Sequence, residues 1–232
     1  GASFFKAFVV AGIISFSNIN LFLSSVIGGL VVSSILVVIL YKKDFPPIKI
    51  TIIGIALGAI SVALSTGVVS YGKVFPSQAL GLISGSFSSS SWEILIYTFF
   101  VFILSIAIST FFINSFTPLL LGDTLAKTLG VNPGKSRIVC ITIAGVLAST
   151  SVYAAGIVGF VGLLSPHIAR NIIGNDSKKL LVLTILIGGV FVLFADQIAR
   201  SLFSPTELPV GMITTAFAAP LMIFIGYRLK LK

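Results

Sequence analysis

Long uninterrupted apolar runs constrain this chain more than any other feature of its sequence. One of them, VIGGLVVSSILVVILY at residues 26–41, contains no charged residue and does not alternate between apolar and polar positions. Only 9% of the 232 residues are charged, whereas a soluble domain has about 25%. Such a chain cannot cover a water-facing surface. We therefore predict an all-α polytopic membrane protein, because helices satisfy their own backbone hydrogen bonds in lipid and the runs lack the alternation of a β-barrel.

The apolar runs predict where the chain crosses the membrane. A spanning helix needs about 20 mostly apolar residues. The segment 157–173 is the least typical, since it holds Pro166, His167 and Arg170, but a span there keeps Lys178 and Lys179 on the same side as the other basic residues. We predict eight spans, near residues 3–18, 22–41, 49–70, 93–113, 138–157, 157–173, 179–200 and 208–228.

The basic residues predict the direction of these spans, because Lys and Arg concentrate in cytoplasmic loops. With Lys42 and Lys43 in the cytoplasm, all of the 15 Lys and Arg residues except Lys73 and Arg200 lie on that side, with Lys6 near the inner end of the first span. The formal charge of +9 then reflects topology, so we do not expect nucleic-acid binding. A single histidine and a single cysteine do not make a typical metal site.

A polar segment, LGDTLAKTLGVNPGKSR at residues 121–137, interrupts the apolar runs. Its four charges exclude it from a span, since each costs roughly 2.5 to 3.5 kcal/mol at a helix centre. The stretch GDTLAKTLG predicts a short amphipathic helix with Leu125 and Leu129 one turn apart. We expect Gly130, followed by Pro133-Gly134, to stop this helix. The segment suits docking into a groove on another protein, or else it is a solvated loop.

Four motifs in order make the chain resemble the FecCD-like permeases of iron-siderophore, haem and vitamin B12 importers. They are LGDTLAKTLGV (121–131), GIVGFVGLLSPHIAR (156–170), LFADQIAR (193–200) and ELPVGMITTAFAAP (207–220). The resemblance covers essentially all of the chain. It implies one transmembrane permease domain over residues 1–232, with the ten-span fold of a type II ATP-binding-cassette (ABC) importer. Two N-terminal spans of that family are expected to be missing here.

The resemblance also implies partners and sites. The loop at 121–135 would be the coupling segment that contacts a cytoplasmic ATPase, through Asp123, Ala126, Lys127, Leu129 and Gly130. ATP would be used by that partner, and this chain would bind no cofactor. A second permease subunit would complete the channel. An extracytoplasmic substrate-binding protein would dock near Arg200 and Glu207, although Arg200 could instead pair with Asp196 or reach lipid phosphate.

A stripe of small residues on the third predicted span, Gly54, Gly58, Ser61 and Ser65, has helical spacing. Such stripes mark close helix packing, and the resemblance alternatively places this span beside the translocation pathway. The hydroxyl-rich residues before Trp92 predict an outer loop with a short helix over 73–92, or an exposed linker. His167 and Arg170 lie one turn apart, and we expect a structural histidine near the ATPase interface rather than a proton relay.

The resemblance implies an importer subunit in a bacterial cytoplasmic membrane that moves a ferric siderophore, with haem or cobalamin as alternatives. An ion-coupled secondary transporter would need acids within its spans, but all six acids lie at predicted span ends or in loops. An intramembrane enzyme is disfavoured, because the sequence has no H-E-x-x-H and no G-x-S-x-G motif. It also lacks the G-x-x-x-x-G-K-[ST] loop of an ATPase, so we predict a non-catalytic subunit.

Overall fold

The computed structural model describes residues 2–4, 6, 17–41, 47–71, 85–88, 90–174, 176–201 and 208–229. Within these ranges the chain is almost entirely helical and has no strand. The helices are α1 (Asn18–Tyr41), α2 (Pro47–Tyr71), α3 (Trp92–Phe111), α4 (Ile113–Phe116), a 3-10 turn (Thr117–Leu121), α5 (Asp123–Thr128), α6 (Pro133–Ala155), α7 (Val161–Ile173), α8 (Ser177–Ser201) and α9 (Val210–Leu229).

Four helices in the described part of the chain are long and apolar enough to cross a membrane: Asn18–Ile39, Trp92–Phe111, Pro133–Ala155 and Ser177–Ser201. Shorter apolar stretches, Ile52–Val68 and Val210–Ile223, lie within α2 and α9. These six agree in position with six predicted spans. Most of the predicted first span lies outside the described residues, so the number eight stays a prediction.

The predicted span 157–173 differs from the structure. Helix α7 has only 13 residues, which makes it about 20 Å long, whereas the hydrocarbon core is about 30 Å thick. Residues 157–160 are not helical, because the backbone turns at Gly156 (φ 75°) and Phe160 (φ 63°), both in the left-handed region. The prediction of a helix over 157–160 is therefore wrong, and α7 on its own is shorter than a span.

The chain divides into two compact units, Gly1–Ala79 with Ser90–Ala154, and Leu80–Ser89 with Ala155–Lys232. In the first unit, α1 and α6 pack through a reciprocal pair of small residues. A Cβ atom on Gly29 would lie 1.5 Å from Ser149 Oγ, and one on Gly145 would lie 1.9 Å from Ser33 Oγ. Neither glycine can carry a side chain at this helix separation. The two helices therefore approach as closely as glycine and serine allow.

An aromatic cluster closes one end of the same unit. The Phe22 ring stacks on Tyr97 at 5.4 Å between centroids and meets Tyr153 edge-on at 5.3 Å. Tyr153 is buried. Beside this cluster the Asn18 amide donates a hydrogen bond to the Glu93 carboxylate. These contacts fix the start of α1 against the start of α3 and the end of α6.

Lys6 lies at this end of the first unit as well. Its Nζ donates hydrogen bonds to the carbonyl oxygens of Val152 (3.2 Å) and Tyr153 (3.0 Å). These carbonyls belong to the last turn of α6, where the backbone acceptors lack helical partners. Lys135 and Arg137 lie at the other end of this 23-residue helix. If α6 spans the membrane, Lys6 is on the opposite side from them, so the prediction that Lys6 lies on their side is wrong.

The second unit is built on α7, α8 and α9. Its core contains Ala195, Ala199, Val210 and Ile213, with Phe87 packed against them. Ser86 N–H donates to the Ala155 carbonyl oxygen at 2.8 Å. A Cβ atom on Gly85 would lie 2.7 Å from the Ile157 carbonyl oxygen. Residues 85–88 thus contact their own unit in three ways: the close backbone approach at Gly85, the hydrogen bond from Ser86 N–H and the packing of Phe87.

Candidate functional site

The predicted coupling segment at residues 121–135, hereafter the docking segment, contains a short helix. The chain enters it through Gly122, whose φ of 102° is one that residues with a side chain rarely adopt. Helix α5 then runs over the six residues Asp123–Thr128. A helix of this length is not stable alone. Its geometry therefore depends on the hydrogen bonds and packing at its two ends.

The end of α5 is a complete Schellman motif. Gly130 N–H donates to the Lys127 carbonyl and Val131 N–H donates to the Ala126 carbonyl, each at 3.0 Å. Gly130 has φ 78°, the left-handed conformation that this motif needs. The prediction that Gly130 ends the helix is confirmed.

The sequence predicted that Pro133 helps to end a helix. In the structure Pro133 instead begins α6, so this prediction is wrong. A proline is well suited to the first position of a helix, because no carbonyl there needs its missing N–H. Asn132 caps this helix: its side-chain Oδ1 accepts from Lys135 N–H at 3.2 Å, and its carbonyl accepts from Ser136 N–H at 3.1 Å. The docking segment thus leads directly into the first turn of α6, which Asn132 caps.

The exposure of the side chains on α5 corrects one predicted contact. Leu125 and Leu129 are 52% and 61% exposed, whereas Ala126 is 0% exposed. Ala126 is buried, so it does not offer the close surface contact that the sequence suggested. Lys127 and Gly130 are exposed, and the side chain of Asp123 lies outside the described residues. The surface of the segment is therefore dominated by two leucines one turn apart.

Arg200, predicted to dock a binding protein, has a local partner. Its Nε donates to Asp196 Oδ2 at 2.9 Å, one turn away on α8. The side chains of Arg200 and Asp196 are 44% and 22% exposed. The pairing that the sequence offered as an alternative is present, and nearly half of the guanidinium side chain remains accessible. Glu207 lies outside the described residues.

The four small residues of the predicted stripe on α2 differ in their packing. Ser61 and Ser65 are buried. Ser65 Oγ donates to Ser61 O at 2.7 Å and lies within hydrogen-bond distance of Ser3 Oγ, at 3.1 Å. A Cβ atom on Gly54 or Gly58 would meet nothing within 4 Å. One half of the stripe therefore packs against residues of its own unit, and the other half is open.

The predicted outer segment 73–92 is described only at residues 85–88, 90, 91 and Trp92. Residues 85–88 form a turn rather than a helix, and α3 begins at Trp92. Ser91 caps α3, since its side chain accepts from Ile94 N–H. His167 is half-buried and Arg170 is exposed on α7.

Sequence reasoning missed the tightest small-residue contact, between Gly29-x-x-x-Ser33 and Gly145-x-x-x-Ser149. The signal was available, because both helices carry a small-x-x-x-small pattern. A pattern on one helix does not identify which other helix it meets. The reciprocal contact became clear only from the α1–α6 pairing.

Helices of spanning length, together with a capped docking segment between them, define a polytopic helical membrane protein. Residues 1–228 match the model of the FecCD transport family. The chain is 33% identical over 205 residues to the Fe(3+)-citrate import system permease protein YfmE of Bacillus subtilis (strain 168), covering 87% of this chain and 61% of that protein.

Two further similarities bear on function. The chain is 32% identical over 222 residues to the molybdate import system permease protein MolB of Haemophilus influenzae, covering 93% of this chain and 64% of that protein. A solved structure described as an inward-facing conformation of a metal-chelate type ABC transporter matches with a TM-score of 0.82 and 27% identity, covering 98% of this chain and 73% of that one. The chain belongs to the FecCD transport family. It spans about three fifths of the length of the curated relatives it matches.

Proposed function

We propose that this chain is a permease subunit of an ABC importer, in which it forms the translocation pathway together with a second permease subunit. The observation that carries the proposal is the docking segment, a short helix that begins after Gly122 and ends in a Schellman motif, with Leu125 and the C-cap residue Leu129 more than half exposed. A pair of exposed leucines on a preformed helix suits insertion into an apolar groove of a partner. The family assignment and the similar ABC transporter structure support an ATPase as that partner.

The connection from the docking segment to α6 suggests how ATPase movement is transmitted. Four residues, from Leu129 to Asn132, separate the end of α5 from Pro133, and backbone or side-chain hydrogen bonds fix each end of this connection. A displacement of α5 would therefore move the start of α6 rather than being lost in a flexible loop. In this proposal the chain hydrolyses no ATP and binds no cofactor. Its contribution is a conformational change that alternates access to the pathway.

The proposed cargo is a ferric chelate, with a ferric siderophore as the preferred form. Support comes from the relative named for Fe(3+)-citrate import and from the structure named for metal chelates. The relative named for molybdate import makes a molybdate oxyanion a second candidate. Haem and cobalamin are further alternatives from the same family. The open half of the α2 stripe, Gly54 and Gly58, is the proposed pathway surface, because small residues leave space for a bulky chelate.

The remaining partners follow from the importer proposal. An extracytoplasmic substrate-binding protein would meet the exposed part of Arg200, with Glu207 in the same proposed docking region, and two ATPases would bind the docking segments in the cytoplasm. The membrane would be the cytoplasmic membrane of a bacterium. Four helices of spanning length and the match to a family of transport proteins support this location.

Reconstitution of the full-length permease with its ATPase and binding protein in liposomes tests the proposal. We expect uptake of a radiolabelled ferric siderophore that requires ATP inside the liposomes, is blocked by vanadate and survives collapse of ion gradients. Uptake that ignores vanadate and stops with an ionophore would instead show an ion-coupled secondary transporter. Parallel assays with labelled molybdate, haem and cobalamin would identify the cargo without altering the importer assignment.

A further inference from the structure

The first turn of α8 and the last turn of α7 carry three exposed basic residues that the proposed transport function does not use. Arg170 is in the last turn of α7, and Lys178 and Lys179 are in the first turn of α8. Only residues 174–176 separate the two helices. All three cations therefore lie at the same end of the α7–α8 hairpin.

The acid beside these cations neutralises only part of their charge. Asp176 Oδ1 accepts hydrogen bonds from the backbone N–H groups of Lys178 (3.1 Å) and Lys179 (3.4 Å), and Oδ2 lies 3.5 Å from Lys179 Nζ. Asp176 is thus the N-cap of α8 and a partner of Lys179. Three cations and one carboxylate leave a net positive patch.

An exposed apolar stripe on α8 begins directly at this patch. Val182, Leu186 and Val190 follow Lys178 at intervals of four residues, so all four lie on one face of the helix. The three apolar side chains are 58%, 59% and 67% exposed. From Lys178 to Val190 the stripe is about 18 Å long, which is close to the thickness of one hydrocarbon leaflet, about 15 Å.

We infer that Arg170, Lys178 and Lys179, with the stripe Val182, Leu186 and Val190, form a binding site for one anionic phospholipid. The phosphate would lie on the cations, and an acyl chain would lie along the stripe. Charge complementarity selects this occupant, because a net positive patch favours an anionic headgroup over a zwitterionic one. The order of basic residues followed by apolar residues matches the order of a phospholipid from headgroup to tail. This inference does not depend on which solute the protein transports.

Native mass spectrometry of the full-length protein in detergent tests the site, with dioctanoyl phosphatidylglycerol, dioctanoyl phosphatidylcholine and inorganic phosphate as probes. We expect phosphatidylglycerol to bind more tightly than phosphatidylcholine, with inorganic phosphate not competing. Lys178→Gln/Lys179→Gln should weaken phosphatidylglycerol binding about 30-fold, since each basic residue near the surface contributes about fivefold. Lys178→Arg/Lys179→Arg should keep it, which also controls for folding.

The matched control is Lys127→Gln/Lys135→Gln, which removes the same charge from the docking segment and should leave phosphatidylglycerol binding unchanged. Equal loss in both glutamine variants would overturn the site, because binding would then depend only on total charge. Equal affinity of the wild type for the two lipids would also overturn it. The site would also be overturned if the Lys178→Gln/Lys179→Gln variant retained the lipid but lost a co-purifying protein, since the patch would then be a protein interface.

Discussion

The docking segment and the Arg200 end of α8 were both singled out from the sequence as contact sites for partners, yet their surfaces differ in kind. Helix α5 and its C-cap expose two leucines, Leu125 and Leu129, each able to contribute about 1.5 to 3 kcal/mol when fully buried. Arg200 already bonds to Asp196 through Nε, so a partner would meet only the remaining exposed guanidinium donors, and such an exposed ion pair contributes little net affinity. The comparison teaches that the first surface is suited to holding a partner and the second to orienting one.

The largest expected effect tests the apolar half of this comparison. Leu125→Asp/Leu129→Asp should weaken ATPase association at least about 100-fold, because two central apolar contacts are replaced by charges. Co-purification and titration by microscale thermophoresis measure it. Thr124→Asp, which adds a carboxylate to another exposed position of α5, is the matched control and should bind nearly as wild type. If the double variant binds as well as this control, the leucines are not the docking surface.

A packing variant separates loss of docking from loss of folding. Gly29→Ala should lower the free energy of unfolding by about 1 to 3 kcal/mol, because its Cβ would lie 1.5 Å from Ser149 Oγ. Gly58→Ala, whose Cβ meets nothing within 4 Å, should stay within about 0.5 kcal/mol. Thermal unfolding in detergent compares them. A destabilised Gly29→Ala that still binds the ATPase when folded would sharpen the comparison, and equal stability of the two variants would refute the α1–α6 packing.

The backbone of the docking segment should matter less than its leucines. Gly130→Ala forces a side chain into φ 78°, at a cost of about 1 to 2 kcal/mol, and should reduce ATPase affinity several-fold while the protein remains folded. Gly130→Asn should restore much of it, since asparagine tolerates this conformation. Identical affinities of the alanine and asparagine variants would argue that the Schellman geometry does not position Leu129.

The charged half of the comparison predicts a smaller effect that depends on salt. Arg200→Glu should weaken binding-protein association with liposomes by about fivefold at low ionic strength, equivalent to about 1 kcal/mol, and by little at high salt. Arg200→Lys should lie between wild type and Arg200→Glu. Association that is unchanged at both salt concentrations would remove Arg200 from the docking surface.

The smallest effect is expected from Asp176, whose interactions are local and exposed. Hydrogen bonds from the backbone N–H of Lys179, with a smaller contribution from Lys178, hold the pKa of the Asp176 carboxyl below its usual value. A lowered folded-state pKa contributes stability above the ordinary carboxyl pKa, and this contribution is lost as pH falls through the lowered value. Wild type should therefore unfold at a slightly higher temperature than Asp176→Asn at neutral pH, with the difference vanishing in acid. A difference that grows in acid would contradict the sign.

The sequence predicted the helical class, the positions of six apolar helices and the end of α5 at Gly130. Each of these depends on local chemistry: continuous apolar runs, or a glycine that can adopt a left-handed conformation. It did not predict the burial of Ala126, the α1–α6 contact or the position of Lys6, because these depend on which helices meet. Lys6 shows the limit most clearly. The rule for basic residues placed it beside Lys135 and Arg137, whereas two carbonyls at the far end of α6 accept its hydrogen bonds.

Site-directed crosslinking at Leu129 tests the central claim most directly. In a Cys140→Ser background, a Leu129→Cys variant would carry a short thiol crosslinker in inside-out membrane vesicles that contain the assembled transporter. The docking proposal predicts one crosslinked product, which contains the ATPase. It also predicts that a membrane-impermeant thiol reagent added at the cytoplasmic side labels the cysteine at position 129 only after the ATPase has been removed. The account would be contradicted if the cysteine at position 129 were labelled only from the extracytoplasmic side. It would also be contradicted if this cysteine crosslinked to no ATPase while the transporter remained active.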